Sequence, residues 1–265
     1  MYYRQIYIHV DKVSIFGYIF CMSMGQIFNQ IYKPGGWGDG SYAKPFSGSG
    51  SIPENAKPYV DFVRKVVKDY GFTKVLDVGH GDFRMWRDWQ FPGIDYLGVD
   101  VSDEATRLAR THYNHPNLNF ITLDLILTES VPFAELLISK DCLQHLPNNI
   151  ILKLIQKFSS YEYLIICNDT IVPFDSWADW VKNYCQFRTR IKAFRSLQSP
   201  FYHVRRENNG EIEVNGYRRL DLESEPFIGA FSGYQLMETF DYDGPKRSGF
   251  KKRVYFFRKK QPLKS

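Results

Sequence analysis

The residues with the clearest potential for binding chemistry lie at the end of a short apolar run. Residues 75–78 read Val-Leu-Asp-Val, carry the acidic Asp77, and lead into Gly79-His80-Gly81. Such a run is typical of a strand buried on both faces of a parallel sheet. The glycines allow positive φ and a close backbone approach to a ligand. Because residues 83–87 follow with helical spacing, we expect strand, glycine turn and helix, the ligand-binding corner of a doubly wound α/β fold.

The residue types at this corner exclude one class of ligand. Dinucleotide enzymes need G-x-G-x-x-G, so that a helix N-terminus can approach a pyrophosphate, but Arg84 stands at the third glycine position. Asp77 is also poorly placed beside phosphates. It suits a phosphate-free ligand with a positively charged amino acid end, and S-adenosylmethionine has an ammonium, a carboxylate and a sulfonium. We therefore expect Asp77, Gly79 and Gly81 to hold the amino acid end of that ligand.

Two further carboxylates follow the next two predicted strands. Asp100 ends residues 96–100, where a carboxylate can accept hydrogen bonds from both hydroxyls of an adenosine ribose. Asp124 ends residues 118–124. Because the carboxyl ends of parallel strands meet at one edge of a sheet, the carboxylates should surround the same crevice.

The segment after the fourth predicted strand offers two candidates for a catalytic base. Asp141 and His145 are four residues apart and would share one face if the segment is helical. A histidine with a near-neutral pKa could remove a proton from a hydroxyl group. A structural histidine bonded to the backbone is the alternative. The sequence does not choose between Asp141 and His145.

A divalent cation is a further, less favoured, interpretation of the same edge. Asn168 and Asp169 end the fifth predicted strand, and with Asp141 they could supply three oxygen ligands to a magnesium-like ion. Such an ion would lower the pKa of an acceptor hydroxyl. An acidic pair is also a common polar strand end, so no metal is the favoured prediction.

The elements that must position these residues alternate along the chain. Strands are predicted at residues 75–78, 96–100, 118–124, 135–141 and 161–168, and helices at 59–70, 104–112 and 148–158. Residues 235–243 and 251–259 read as two strands around Gly244-Pro245. This alternation predicts an α/β, Rossmann-like, doubly wound seven-stranded sheet with a C-terminal antiparallel hairpin.

The regions outside this alternation suggest the domain organisation. Residues 1–25 form an apolar extension whose dense patch is far shorter than the ~20 residues of a membrane span. A signal peptide or a natural start at Met22 or Met24 are the alternatives. Residues 26–55, rich in Gly, Ser and Trp, are a flexible linker or a water-excluding lid. Residues 56–265 form the main domain, with a helical, aromatic insertion at about 173–216.

The composition is that of a globular protein with a basic balance. The formal net charge is +5, concentrated in residues 188–206 and 246–264. Such charge could attract nucleic acid, but a solvated basic face is the preferred interpretation, so we do not expect nucleic acid as a partner. The four cysteines show no C-x-x-C pairing. They indicate reduced thiols in a cytoplasmic protein.

Two motifs resemble those of a known enzyme family. The D-x-G-x-G pattern at Asp77 resembles motif I of the class I S-adenosylmethionine-dependent methyltransferases, and Asp141 to Leu146 resembles their segment after strand four. The chain also resembles a narrower group, the sugar methyltransferases of bacteria and large viruses that are associated with glycosyltransferases. Its motifs correspond to Ile31-Tyr32, Trp37-Gly38, Ser47–Ser51, Tyr59–Val63, Gly98–Val101 and Lys140–Pro147. The departures are Lys140 for the usual arginine, an insertion at 40–46, and residues 1–25.

This resemblance implies a function and a set of binding residues. The cofactor would be S-adenosylmethionine, with the adenine amino group on Asp124, the Leu125 backbone N–H beside it, and Trp37, Ser49 and Val101 completing its site. The reaction would be O-methylation of a sugar hydroxyl in a glycan, with glycosyltransferases as associated partners. A small molecule, RNA or protein acceptor is the first alternative. A methyltransferase-like binding subunit without turnover is the second.

Overall fold

The computed structural model describes residues 22–33, 35–41, 44–88, 92–170, 208–245 and 251–261. Two predictions therefore fall largely outside the described residues. These are the apolar extension at 1–25, described only from Met22, and the helical insertion at 173–216, described only from residue 208, where the chain up to 216 is irregular.

Seven strands in the described part of the chain form one sheet. They are β1 (Lys74–Val78), β2 (Asp95–Asp100), β3 (Leu118–Thr122), β4 (Leu136–Lys140), β5 (Tyr163–Thr170), β6 (Tyr234–Asp243) and β7 (Lys251–Lys259). Their order is β3-β2-β1-β4-β5-β7-β6. The first five run parallel, whereas β7 is antiparallel to both β5 and β6. The predicted fold class is confirmed.

The strand order fixes where a ligand crevice can form. From β1 the chain goes outward to β2 and β3, and then returns to place β4 on the other side of β1. In open α/β sheets the crevice opens at such a reversal, outside the carboxyl ends of the strands. The strands at this point are β1, which carries Asp77, and β4, which is followed directly by Asp141.

Helices cover both faces of the sheet. They are α1 (Met24–Asn29), α2 (Pro53–Tyr70), α3 (Asp103–His112) and α4 (Asn148–Phe158). Buried residues of α2 and α3 pack on one face, and those of α4 pack on the other. Successive strand residues alternate between these layers, so that Leu136 lies in the first and Leu137 in the second. No helix in the described ranges has the length and apolarity needed to span a bilayer.

Several element boundaries differ from the predictions. α2 begins six residues before the predicted start, with Pro53 in the first turn, where its missing N–H has no cost. The α-helix expected after the glycine turn is wrong. Its place holds a 3-10 helix, Arg84–Trp86, because Phe83 takes a positive φ of 61° and interrupts the helical path. β3 ends at Thr122, so Asp124 lies two residues beyond it.

Candidate functional site

A cleft lies at the carboxyl ends of β1, β2 and β4. Including the part open to solvent, its volume is about 940 Å³. Most of the predicted site residues line it: Trp37, Gly79, Gly81, Asp100, Val101, Asp124, Leu125, Asp141 and His145. Asp77 and Ser49 are not among the lining residues, although Ser47 and Ser51, on either side of Ser49, are.

Asp100 is held at the rim of the glycine turn. Its Oδ2 accepts a hydrogen bond from the Gly81 N–H at 3.1 Å, and its Oδ1 accepts one from the Ser102 N–H at 2.9 Å. Because a carboxylate oxygen has two lone pairs, both oxygens keep capacity for another donor. Asp100 therefore links β2 to the turn and still presents acceptors to the cleft.

The glycines of the turn are required by the protein's own chain. Gly79 and Gly81 have φ of 78° and 62°, in the left-handed region. A Cβ on Gly79 would lie 2.7 Å from the Cys142 Sγ, and a Cβ on Gly81 would overlap the Ser47 Oγ. The sequence predicted a close approach of a ligand to these glycines. In the structure, Cys142 and Ser47 of two neighbouring segments make part of that close approach.

Asp77 lies behind the turn. It is fully buried, and its Oδ2 accepts hydrogen bonds from the Tyr96 hydroxyl at 2.6 Å and the Trp86 indole N–H at 3.0 Å. Strand alternation places it in the same layer as Val75, toward α2. Burial raises the pKa of Asp77 to about 6, although the two donors oppose this shift. Asp77 therefore does not line the cleft, although the sequence predicted that it would hold the amino acid end of the ligand.

The part of the cleft that follows β3, beside Asp100, is apolar and contains one further carboxylate. Its walls include Leu123, Leu125 and Ile126, and Asp124 stands among them with its Oδ1 accepting the Ile126 N–H at 2.9 Å. An apolar slot with a single hydrogen-bonding edge suits a planar heterocycle. This placement agrees with the predicted adenine role of Asp124.

α1 closes this apolar part of the cleft. A Cβ on Gly25 would lie 2.5 Å from the Val101 carbonyl oxygen, so the helix crosses β2 at close range. The Asn29 Oδ1 accepts a hydrogen bond from the Ser102 hydroxyl at 2.7 Å. The helix spans the boundary that the sequence placed between residues 25 and 26. Its described residues therefore belong to the site.

The lid segment, residues 26–55, is tied to the glycine turn where it is described. The Ser47 hydroxyl accepts the Asp82 N–H at 2.7 Å. The Arg84 guanidinium donates to the carbonyls of Ser41 at 2.6 Å and Gly40 at 2.8 Å. Arg84, which excluded a dinucleotide, thus has a positive role as an anchor. These contacts favour the lid over the flexible linker.

His145 has the geometry of a neutral base. Its Nδ1 lies 2.8 Å from the Gly216 carbonyl, which can only accept, so the proton is on Nδ1, and the Nε2 lone pair has one long contact, 3.5 Å, with the Gln144 Nε2. Burial lowers the pKa of His145, although the Gly216 carbonyl and nearby carboxylates oppose this. The Trp37 ring packs on it with centroids 4.4 Å apart. Asp141 and His145 do not share a helical face. Asp141 has a positive φ of 56°, and the helical segment is a 3-10 turn limited to Leu143–His145.

Asp141 is poorly suited to accept a proton. Its Oδ1 lies 2.7 Å from the Lys252 Nζ, and its Oδ2 contacts the Lys140 Nζ. Burial alone would raise the pKa of Asp141, but the two ammonium groups lower it below its usual range. Of the two candidates for the base, the geometry favours His145.

Sequence reasoning missed Lys252 and Tyr217. The Lys252 Nζ also contacts the Asp169 Oδ1 at 2.6 Å, and the Tyr217 hydroxyl donates to the Asp169 Oδ2 at 2.7 Å. The signal for Lys252 was its position in β7, two residues before the apolar Val254 on the same face. Tyr217 directly follows the predicted insertion, in a stretch whose aromatic and basic residues were a signal for the acceptor side, but it was not singled out as a site residue.

The three candidate metal ligands do not form an open site. Lys252 bridges Asp141 and Asp169, and the Asn168 side chain is fully buried with no hydrogen-bond partner in the part of the chain that is described. Among the described residues no three His, Cys, Asp or Glu side chains are placed to hold a metal ion. Cys142 and Cys167 are free thiols, and burial raises the pKa of each to about 12.

The sequence matches no protein-family model and no curated protein. The structure is similar to that of magnesium protoporphyrin IX methyltransferase from Synechocystis PCC 6803 with bound S-adenosylmethionine, with TM-score 0.57 and 15% identity over 91% of this chain and 100% of that one. An S-adenosylmethionine-dependent methyltransferase from Anabaena variabilis gives 0.55 and 13% over 89% and 93%. The N-methyltransferase NodS from Bradyrhizobium japonicum WM9 gives 0.54 and 10% over 90% and 99%. This chain has the same fold as these proteins.

Proposed function

We propose that this chain is an S-adenosylmethionine-dependent methyltransferase that acts on a hydroxyl group. The observation that carries the proposal is that Asp100 and Asp124 line the same cleft at the carboxyl ends of two neighbouring strands, on a fold shared with methyltransferases. Asp100 offers acceptors for ribose hydroxyls beside the glycine turn. Asp124 offers one for an adenine amino group within an apolar slot.

The residues that line the cleft fit the chemistry of this ligand. The described residues that line the cleft include no cluster of arginines or lysines of the kind that would bind a phosphate chain at the glycine turn, where Arg84 is engaged with Gly40 and Ser41. The Asp82, Asp100 and Asp124 side chains give the described walls an acidic character, which favours a cationic ligand. The apolar residues of β2, the β3 loop and α1 can cover a base.

The chain's own residues supply orientation and proton removal. Bound S-adenosylmethionine provides an electrophilic methyl group on sulfur, and it departs as S-adenosylhomocysteine when the carbon–sulfur bond breaks. His145 accepts the hydroxyl proton on Nε2 as the acceptor oxygen forms its bond to the methyl carbon. The Gly216 carbonyl stabilises the resulting imidazolium, since it already accepts from Nδ1. The proton then passes to solvent.

For the acceptor, we propose a glycan. Trp37 is 41% exposed and lies against the His145 ring, so an aromatic face stands beside the base. Tyr217, 40% exposed, lies on another side of His145 with ring centroids 5.9 Å apart. Aromatic faces bind the apolar faces of sugar rings while leaving their hydroxyls free. The resemblance to sugar methyltransferases is independent support.

The test combines binding with methyl transfer. Calorimetry should detect binding of S-adenosylmethionine and S-adenosylhomocysteine to the full chain. Labelled methyl groups should then pass to members of a panel of glycans, small phenols and RNA. His145→Gln should bind the cofactor normally and lose transfer. His112→Gln, an exposed histidine at the end of α3, is the matched control and should keep both.

Each outcome separates one alternative. No binding of either cofactor form would refute the methyltransferase proposal. Transfer to phenols or RNA but not to sugars would retain the enzyme and refute the glycan acceptor. Binding without transfer to any class would favour a binding subunit.

A further inference from the structure

A lysine side chain joins the two carboxylates that the sequence offered as metal ligands. Asp169 on β5 and Lys252 on β7 are direct partners in the antiparallel register. The Lys252 Nζ is 2.6 Å from the Asp169 Oδ1 and 2.7 Å from the Asp141 Oδ1. Its side chain is 2% exposed. The ammonium thus lies between the carboxylates of two neighbouring strands.

All four oxygens of these carboxylates have a donor. Lys252 takes one oxygen of each, Lys140 takes the second oxygen of Asp141, and the Tyr217 hydroxyl takes the second oxygen of Asp169. Two ammonium groups balance two carboxylates. A divalent cation here would add uncompensated positive charge and would have to displace existing donors.

The same contacts connect the lid segment to the wall beside the base. Lys140 also donates to the Gly50 carbonyl at 3.0 Å. From there the chain of contacts runs through Asp141, Lys252 and Asp169 to Tyr217, which lies next to His145. Lys252 is its central member, because it alone holds both carboxylates.

We propose that the Lys252 ammonium is the built-in cation of this site. It stands where a divalent metal would otherwise bind, and it positions the lid segment and Tyr217 around the acceptor. The inference rests on the proposed function only for its catalytic consequence, since the cation-binding behaviour can be measured without turnover. Lys252 is a positioning residue, not one that touches the reacting atoms.

The first experiment measures Mn²⁺ binding by electron paramagnetic resonance on the full chain. Wild type should show no site that depends on Asp141 or Asp169. Lys252→Ala should gain a site, binding Mn²⁺ roughly tenfold or more tightly than wild type, since two adjacent carboxylates are then open to a hard cation. Adding Asp141→Asn to Lys252→Ala should remove that site. The matched control is Lys251→Ala, which removes an exposed lysine that neighbours Lys252 on β7 and pairs with Asp243 of β6.

A second variant keeps the test decisive if Lys252→Ala does not fold. Lys252→Gln removes the charge but keeps a donor between the carboxylates, and it should likewise gain Mn²⁺ binding over wild type. A wild-type Mn²⁺ site lost in Asp169→Asn would overturn the proposal. So would a folded Lys252 variant that binds Mn²⁺ no better than Lys251→Ala.

Methyl transfer gives the catalytic part of the test. Wild-type activity should resist chelators, and the Lys252 variants should lose transfer while their S-adenosylmethionine affinity stays within about threefold of wild type. Chelator-sensitive wild-type transfer that Mg²⁺ restores would refute the built-in cation. Absence of cofactor binding in wild type would instead refute the proposed function and leave the Mn²⁺ result standing.

Discussion

Replacing Asp77 by asparagine should stabilise the protein at neutral and alkaline pH. Asp77 is fully buried, and its Oδ2 accepts hydrogen bonds from Tyr96 and Trp86, whereas its Oδ1 has no hydrogen-bond partner among the described residues. The described residues therefore stabilise the negative charge at only one of the two carboxylate oxygens. An asparagine carbonyl can keep both existing hydrogen bonds without the charge.

The sign and size follow from the pKa. Burial raises the pKa of Asp77 from 3.8 to about 6, which corresponds to about 3 kcal/mol. The protonated form is favoured in the folded state, so this contribution to stability is complete below pH 3.8 and is lost as the pH rises through about 6. The asparagine amide would leave a buried donor unpaired at a cost of about 1–2 kcal/mol. At pH 8 a net gain of about 1–2 kcal/mol remains for Asp77→Asn.

The assay is denaturant unfolding of wild type and variant from pH 4.5 to pH 8. The stability difference should be largest at pH 8 and should fall by about 2 kcal/mol at pH 4.5, where Asp77 of the folded wild type is neutral but that of the unfolded chain is still mostly ionised. Asp69→Asn is the control, an exposed carboxylate on α2 paired with Lys65 at 3.2 Å. Its effect should stay within about 0.5 kcal/mol. A less stable Asp77→Asn at pH 8, or a difference that does not vary with pH, would refute the reasoning.

The same variant tests the role of Asp77 in binding. Because Asp77 lies behind the glycine turn, its replacement should change S-adenosylmethionine affinity by less than about tenfold, or about 1.4 kcal/mol. Calorimetry at pH 7.5 measures this. A much larger loss would restore the direct contact with the amino acid end that the sequence predicted.

Three further substitutions test the rest of the cleft. Asp100→Ala should weaken S-adenosylmethionine binding by roughly 100-fold in calorimetry, since hydrogen bonds to a charged acceptor contribute about 1.5–3 kcal/mol each; unchanged affinity would contradict the ribose assignment. Gly79→Ala should destabilise the protein more than Gly71→Ala in denaturant unfolding. Both glycines have positive φ, but nothing surrounds a Cβ at Gly71, whereas Cys142 blocks one at Gly79; equal losses would argue against the clash. In pH–rate measurements of methyl transfer, wild-type activity should persist below pH 6.5, because burial lowers the pKa of His145 and keeps its Nε2 unprotonated, and His145→Gln should reduce the rate roughly 100-fold or more.

Much of the fold could be predicted because strands and helices have short-range signatures. The apolar run before Gly79 and the carboxylates after β2 and β3 identified the crevice edge, since parallel strands bring their carboxyl ends together. The helix after the turn was mispredicted because apolar residues at helical spacing also suit an irregular buried segment. Here Phe83 and Trp86 are buried at 1% and 0% exposure without forming an α-helix.

The orientation of Asp77 was not predictable in the same way. A strand buried on both faces has no polar and apolar alternation to tell one side from the other. The two donors that hold Asp77, Trp86 and Tyr96, are 9 and 19 residues away in sequence. Only the packing of α2 on the sheet shows that Asp77 faces that layer.

The sequence by itself determined the alternating elements, the glycine turn and the carboxylates Asp100 and Asp124 in the cleft, because each depends on neighbouring residues and on the rule that parallel strands align. Tertiary structure determined the surroundings of the two candidate bases. His145 receives its tautomer from Gly216, 71 residues later, and Asp141 is paired with Lys252, 111 residues later. Such pairings depend on the order of the strands, because β7 lies next to β5 in the sheet. They also depend on burial, which strengthens the interaction between charged groups.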